Sequence, residues 1–236
     1  MSDFNKQSVK QFWDTRAAKL EETDNKASLT NLETDEELSA LKLELESKVL
    51  NRIIEETNEK DTLLDLGCGY GHWSIHFSSL FKSVIGVEYS ESLTKYGQKL
   101  AIEKNIRNIA LKHSDVCSFQ FEGSYDVVLI SGLFLYLHDE DVTDILTRLS
   151  KHLSKGSRVI LRDGMSLLEH DHIIIDKYSS ALEDNYSAIY RTPEKYKSLF
   201  SECSYQLIES MDMFSKESAL NKWQETRLRV MVYEVK

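Results

Sequence analysis

Two kinds of apolar pattern alternate along the chain. Residues 63–66 (LLDL), 83–87 (SVIGV), 109–112, 125–130 (YDVVLI) and 158–162 (RVILR) are short runs rich in aliphatic and β-branched side chains. They predict strands buried on both faces. Between them apolar residues recur every three or four positions, which predicts helices. Trp73 and Phe77 mark one, and Leu93, Tyr96 and Leu100 mark another over residues 91–104, capped by Ser90. Val142, Leu146, Leu149 and Leu153 form the inner face of a third, capped by Asp139 and ended by Gly156. Strand–helix alternation of this kind builds a parallel sheet covered by helices on both faces.

The flanks add elements. Residues 3–20 predict a first helix with Val9, Trp13, Ala17 and Leu20 near one face, Phe12 and Arg16 beside it, and a polar loop over 21–33. Thr34-Asp35-Glu36-Glu37 fits a capping box, and Leu38, Leu41, Leu45, Val49 and Ile53 continue it as a second helix. Thr192-Pro193-Glu194 starts a further helix, with threonine as cap and proline at the first helical position. Residues 205–211 and 226–235 predict two closing strands. In residues 165–191, Tyr186 and Tyr190 stand four apart and are predicted to share a helix face, with Tyr178 and Arg191 nearby. Pro193 is the only proline and no Ser/Gly linker divides the chain, so it reads as a single domain over 1–236. Its parts are a helical extension over 1–58, a core over 59–164, an insertion over 165–191 and a helix with a strand pair over 192–236.

Charge and cysteine usage narrow the classes. The formal charge of −10 disfavours a nucleic-acid partner, which asks for a basic surface. No apolar stretch approaches the ~20 residues that span a bilayer, and the first residues have no signal-peptide core. Cys68, Cys117 and Cys203 are far apart and form no C-x-x-C pair, which argues against structural zinc or a disulfide framework and fits a reducing cytoplasm. His72 and His76 share a helix face and Glu169-His170-Asp171-His172 carries ligand-type side chains, but neither offers a converging set, so no metal is predicted. A monomer or homodimer is expected.

The chemistry concentrates after the first strand. Asp65 is followed by glycines at alternate positions, Gly67, Gly69 and Gly71, and then by a helix start. Glycines serve where backbone takes unusual torsions or approaches a ligand, and helix N-termini attract electron-rich groups. The dinucleotide fingerprint G-x-G-x-x-G needs glycine where His72 stands. A loop that only turns the chain is the plainer alternative. Glu88 ends the second strand about twenty residues beyond Gly67, where an acid accepts hydrogen bonds from ribose hydroxyls. Asp115 and Val116 follow the third strand.

The pattern D-x-G-x-G-x-G, followed by Glu88 and Asp115 in this order, resembles the class I S-adenosylmethionine-dependent methyltransferases of small-molecule type. The resemblance covers about residues 61–236. It implies an α/β fold with a Rossmann-like, doubly wound, mostly parallel seven-stranded sheet, helices on both faces, an antiparallel last strand and an N-terminal helical extension. It implies S-adenosyl-L-methionine as cofactor, with S-adenosyl-L-homocysteine as product. By the same resemblance Asp65, Gly67, Cys68, Gly69, Gly71 and Trp73 cradle the amino-acid portion. Glu88, with Tyr89 and Ser90, takes the ribose, and Asp115 and Val116 take the adenine. Ser131 and Gly132 line the cofactor, and Trp13 and Arg16 belong to a lid over it.

The acceptor is expected beyond the fourth strand and at the insertion, since open α/β sheets bind ligands beyond their carboxyl ends. Tyr136 and His138 are the catalytic candidates, histidine being the usual base near neutral pH. Tyr136, His138, His170, Tyr186, Tyr190 and Arg191 are the candidate acceptor contacts, and His172 is a further histidine there. Arg227 and Arg229 alternate with Leu228 and Val230 and read as an exposed strand face. The chain lacks the N/D-P-P-Y/F motif of many enzymes that methylate planar amide or base nitrogens. The expected function is methyl transfer to a hydroxyl or amine of a small polar acceptor, such as a sugar or natural-product intermediate. The alternatives are a cofactor-binding scaffold or regulator without catalysis and, disfavoured by His72 and Asp115, a nicotinamide-dependent oxidoreductase.

Overall fold

The computed structural model describes residues 6–18, 35–179 and 184–236. In chain order the elements begin with α1 (Lys6–Ala18), α2 (Glu36–Glu55), β1 (Thr62–Leu66), α3 (His72–Phe77) and β2 (Ser83–Glu88). They continue with α4 (Glu91–Glu103), β3 (Ile109–His113), β4 (Tyr125–Ser131), α5 (Asp139–Ser150) and β5 (Leu153–Ser166). They end with β6 (His172–Ser179), β7 (Asp184–Tyr190), α6 (Pro193–Glu202), β8 (Tyr205–Asp212) and β9 (Thr226–Val235).

Seven strands form one sheet in the order β3-β2-β1-β4-β5-β9-β8. The first five are parallel, and β9 runs antiparallel to both its neighbours. This is the Rossmann-like sheet expected from the alternation. Strand order reverses between β1 and β4, so the loops after these strands diverge and leave a crevice at their carboxyl ends.

The strands are apolar throughout because both faces are covered. Leu63, Val127, Leu129 and Ile160 point to the side packed by α2 and α3, through Leu50, Ile53 and Phe77. Their neighbours Leu64, Val128, Ile130 and Leu161 point to the side packed by α5 and α6, through Val142, Leu146, Leu149 and Phe200. All eight strand residues are fully buried. At ~1.5–3 kcal/mol for each fully buried aliphatic side chain, this double core is the main force fixing the register.

Four expectations are revised. Asp35 caps α2, accepting from the Leu38 amide at 2.9 Å, while Thr34 and the loop over 21–33 lie outside the described residues. His138, not Asp139, occupies the cap of α5, and its backbone amide donates to Asp141 at 3.3 Å. That helix ends at Ser150, because Leu153 pairs with Tyr125 and opens β5, while Gly156 sits inside that strand. The insertion is not helical: β6 and β7 form a separate antiparallel hairpin, with Ile173 opposite Ile189 and Ile174 opposite Ala188. Residues four apart share a face in a strand as well as in a helix, so Tyr186 and Tyr190 still project together.

Candidate active site

The loop between β1 and α3 holds its shape through left-handed glycines. Gly67, Gly69 and Gly71 have φ of 70°, 57° and 80°, a region that side chains bearing Cβ disfavour. A Cβ on Gly67 would also meet Leu133 at 3.0 Å, so the loop lies hard against the segment after β4. The amides of Gly67 and Cys68 donate to the Val87 carbonyl at 2.8 and 3.1 Å. The Glu88 carboxylate then accepts from Gly69 N at 3.0 Å and from Ser90 N at 2.9 Å. Burial pushes Glu88 up to about 7, against these backbone donors.

Asp65 stands at the base of the loop. Its Oδ2 accepts from Ser74 Oγ at 2.7 Å, while its Oδ1 is buried with no hydrogen-bond partner. Burial raises its pKa to about 6. An unsatisfied buried carboxylate oxygen is unfavourable, and a cationic donor arriving from the adjoining cleft would satisfy it.

That cleft, of about 390 Å³, opens at the carboxyl ends of the central strands. Of the cofactor candidates, Trp13, Asp65, Gly67, Cys68, Gly69, Trp73, Glu88, Tyr89, Asp115, Val116, Ser131 and Gly132 line it, as do the acceptor candidates Tyr136, Tyr186 and Tyr190. Gly71 and Ser90 stand back from it as the caps of α3 and α4. Arg16 lies in α1, and its side chain is outside the described residues.

His138, His170 and Arg191 are not brought to the cleft. His138 is taken up by its place at the start of α5. His170 is exposed on the turn before β6, where its carbonyl accepts from Ser166 Oγ at 2.8 Å. Arg191 is wholly buried. It donates to Asp139 Oδ1 and to the carbonyls of Phe134 and Leu137 at 2.7, 2.7 and 2.6 Å. These bonds brace the short turn Phe134–Tyr136 from one side. From the other, Asp163 Oδ2 accepts from Leu135 N at 3.1 Å and from the Tyr196 hydroxyl at 2.9 Å. Burial pushes Asp163 up to about 7.

Helix α1 and the hairpin roof the cleft. Phe12 is buried with its ring 6.0 Å from Tyr186, and Trp13 meets Tyr136 edge-on at 5.7 Å. The hydroxyls of Tyr136 and Tyr186 lie 3.5 Å apart, and those of Tyr186 and Tyr190 lie 2.9 Å apart. Burial raises the pKa of both hairpin phenols, which therefore remain protonated donors. At the other end of the roof Lys10 forms an ion pair with Asp115, and the Tyr89 hydroxyl donates to the Lys10 carbonyl.

Several lining residues have no counterpart in the sequence expectations. Lys10 of α1, Lys42 and Glu46 of α2, and Arg162 of β5, opposite the last residue of β4, are among them. Phe214, Leu220, Lys222 and Trp223, from the connection between β8 and β9, are others, as is Arg227, expected on an exposed face. Arg162 had one signal, since it ends the apolar run RVILR on the side where ligands bind. The connection had none, being polar and irregular. Among the described residues no three His, Cys, Asp or Glu side chains are grouped to hold a metal ion. No described helix is long and apolar enough to cross a membrane.

Comparison with known proteins adds a family. Residues 63–156 match a methyltransferase domain. The chain is 28% identical over 146 residues to phosphoethanolamine N-methyltransferase 1 of Triticum aestivum, covering 60% of this chain and 27% of that protein. It is 30% identical over 94 residues to a malonyl-[acyl-carrier protein] O-methyltransferase of Bacillus cereus, covering 39% of this chain and 33% of the relative. The chain thus spans about a third or less of these curated relatives. Among solved structures, an S-adenosylmethionine-dependent methyltransferase of Leishmania major superposes with a TM-score of 0.75 at 15% identity, over 100% of this chain and 87% of the other. Phosphoethanolamine N-methyltransferase 1 of Haemonchus contortus, bound to phosphoethanolamine and S-adenosylhomocysteine, superposes with a TM-score of 0.74 at 18% identity, over 98% of this chain and 49% of the other. At these identities the structural matches speak for the fold.

Proposed function

This chain belongs to the class I S-adenosylmethionine-dependent methyltransferase family, and on that premise we propose that it transfers a methyl group from S-adenosyl-L-methionine to a hydroxyl or amine of a small polar acceptor. The observation that carries this reading is Asp65 Oδ1, a buried carboxylate oxygen on the cleft lining with no partner of its own. It fits the ammonium group of an amino-acid moiety. When bound, S-adenosylmethionine supplies a methyl group activated by its sulfonium.

The chain's own residues bind, orient and exclude water. In this reading Glu88 takes ribose hydroxyls, Asp115 and Val116 take the adenine, and the glycine loop gives close backbone approach. Trp13, Phe12 and the hairpin tyrosines close the roof, which excludes water from a reaction that depends on alignment. Tyr136 stands on the braced turn after β4, beside Tyr186, and is the residue proposed to orient the accepting atom. His138, His170 and Arg191 have no part in it. The proposed organisation is a single unit, with 1–58 as lid and extension, 59–164 as cofactor core, 165–191 as acceptor-side hairpin and 192–236 as supporting helix and strand pair. A cytoplasmic setting and a small-molecule partner, without nucleic acid, complete the reading: the widely spaced cysteines suit a reducing compartment, and the acidic charge disfavours nucleic acid.

The test is release of S-adenosylhomocysteine from S-adenosylmethionine in the presence of a panel of small amines and hydroxyl compounds, with phosphoethanolamine among them. Acceptor-dependent release supports transfer. Tight cofactor binding without release across the panel favours a binding protein without catalysis.

A further inference from the structure

The cleft has two chemically different ends. Asp65, Glu88 and Asp115 line the end formed by β1, β2 and β3. The other end, beside α2 and β5, is lined by Lys42, Arg162 and Lys222, with Glu46 the carboxylate among them. In a chain of net charge −10, three cations against one acid at this end is a concentration of positive charge that the overall composition opposes. Concave walls of one sign focus the field on a ligand.

Arg162 is the fixed point of this lobe. It leaves β5 beside the end of β4, where its Nη1 lies 3.9 Å from the position of a Cβ on Gly132. Its Nη2 pairs with Glu46, a residue 1% exposed, so the guanidinium is oriented from the α2 side. Its Nε is buried and has no acceptor among the described residues. A guanidinium presents donors in a planar fork suited to carboxylate or phosphate oxygens. One edge of this fork is anchored and another donor remains unsatisfied, which matches an oxyanion arriving from the cleft.

We propose that Arg162, oriented by Glu46 and with Lys42 on the same α2 side, seats an anionic oxygen group, a carboxylate or phosphate, of a molecule bound in the cleft. The inference rests on the methyltransferase reading and deepens it. The group has two sources. It is either the carboxylate of the cofactor's amino-acid portion or an anionic group on the acceptor.

Removing Arg162 alone strands Glu46 in the interior and threatens folding. The informative variant is therefore the double substitution Glu46→Gln with Arg162→Gln, which keeps two hydrogen-bonding amides and removes both charges. Lys42→Gln, on a partly exposed residue, is the second variant. Calorimetry on the folded proteins measures S-adenosylhomocysteine, 5′-methylthioadenosine, which lacks the amino-acid portion, and inorganic phosphate with S-adenosylhomocysteine saturating. A loss of about tenfold or more for S-adenosylhomocysteine in the double variant, with methylthioadenosine unchanged, assigns the group to the cofactor. Unchanged S-adenosylhomocysteine affinity with phosphate binding lost in the double variant, and weakened in Lys42→Gln, assigns it to the acceptor. If the double variant alters neither ligand, the seat does not exist. Failure of the wild type to bind S-adenosylhomocysteine at all would instead overturn the underlying reading.

Discussion

Arg191 donates from Nη1 to the carbonyl oxygen of Phe134 at 2.7 Å, joining the end of the hairpin to the turn after β4. Its other donors reach Leu137 O and Asp139, and all of its side chain is buried. The residue is a brace for the turn that carries Tyr136 into the cleft. Arg191→Ala should strip the Leu137 carbonyl of its side-chain donor, at about 1–3 kcal/mol, while Phe134 O keeps the Leu137 amide. Arg191→Lys should recover little, since an ammonium cannot span the fork. Denaturant unfolding checks both. A stable Arg191→Ala protein that loses only acceptor affinity would contradict this role.

The tyrosine string gives a different expectation. Tyr136→Phe and Tyr186→Phe remove one hydroxyl each from the set linking Tyr136, Tyr186 and Tyr190. Each is expected to lose ~0.5–1.5 kcal/mol of stability or less. With a working acceptor, turnover should fall in Tyr136→Phe while S-adenosylhomocysteine affinity is retained. Equal turnover in wild type and Tyr136→Phe would remove that phenol from acceptor orientation.

Three buried acids set a pH dependence. Burial raises Glu88 from an ordinary 4.5 to about 7, and Asp65 and Asp163 from 3.8 to about 6 and about 7. The folded state therefore holds protons that the unfolded state has released. Stability from these groups is fully present below about pH 4 and is lost as pH rises toward 7. Each pKa unit corresponds to about 1.4 kcal/mol at most. The wild type should accordingly lose stability relative to Glu88→Gln between pH 5 and about 7.5, measured by thermal unfolding of the ligand-free proteins. A difference that stays flat, or moves in the wild type's favour as pH rises, would show that the Glu88 pKa is not raised on folding.

Much of the fold was legible because its strands are buried on both faces, and such strands announce themselves as unbroken apolar runs. Val127 to Ile130 is one such run, and Leu63 to Leu66 is another broken only by Asp65. The glycine loop was legible because left-handed backbone leaves a residue-type signature at Gly67, Gly69 and Gly71. The hairpin was not, because the four-residue spacing of Tyr186 and Tyr190 satisfies a helix and a strand alike. The run Ile173-Ile174-Ile175 was the stronger strand signal. Arg191 was misplaced for another reason: its type suits an anion site, and only the fold reveals that backbone carbonyls surround it. Arg162 and Glu46 meet across 116 positions of sequence, a pairing that no local pattern encodes.

Helix α1 should respond to cofactor. Lys10 pairs with Asp115 and Phe12 packs on Tyr186, so closure ties the helix to both the core and the hairpin. Amides of residues 6–18 should exchange more slowly with S-adenosylhomocysteine bound. Equal exchange in both states would make α1 a static packing helix.

The central claim is that the crevice between β1 and β4 takes S-adenosylmethionine. Calorimetric titration of the wild type with S-adenosylhomocysteine and with NAD tests it most directly. The account predicts saturable, one-to-one binding of S-adenosylhomocysteine, weakened in Glu88→Ala by the loss of charged hydrogen bonds worth ~1.5–3 kcal/mol each, and little binding of NAD. Preferential binding of NAD, or S-adenosylhomocysteine affinity unchanged in a folded Glu88→Ala protein, would contradict it.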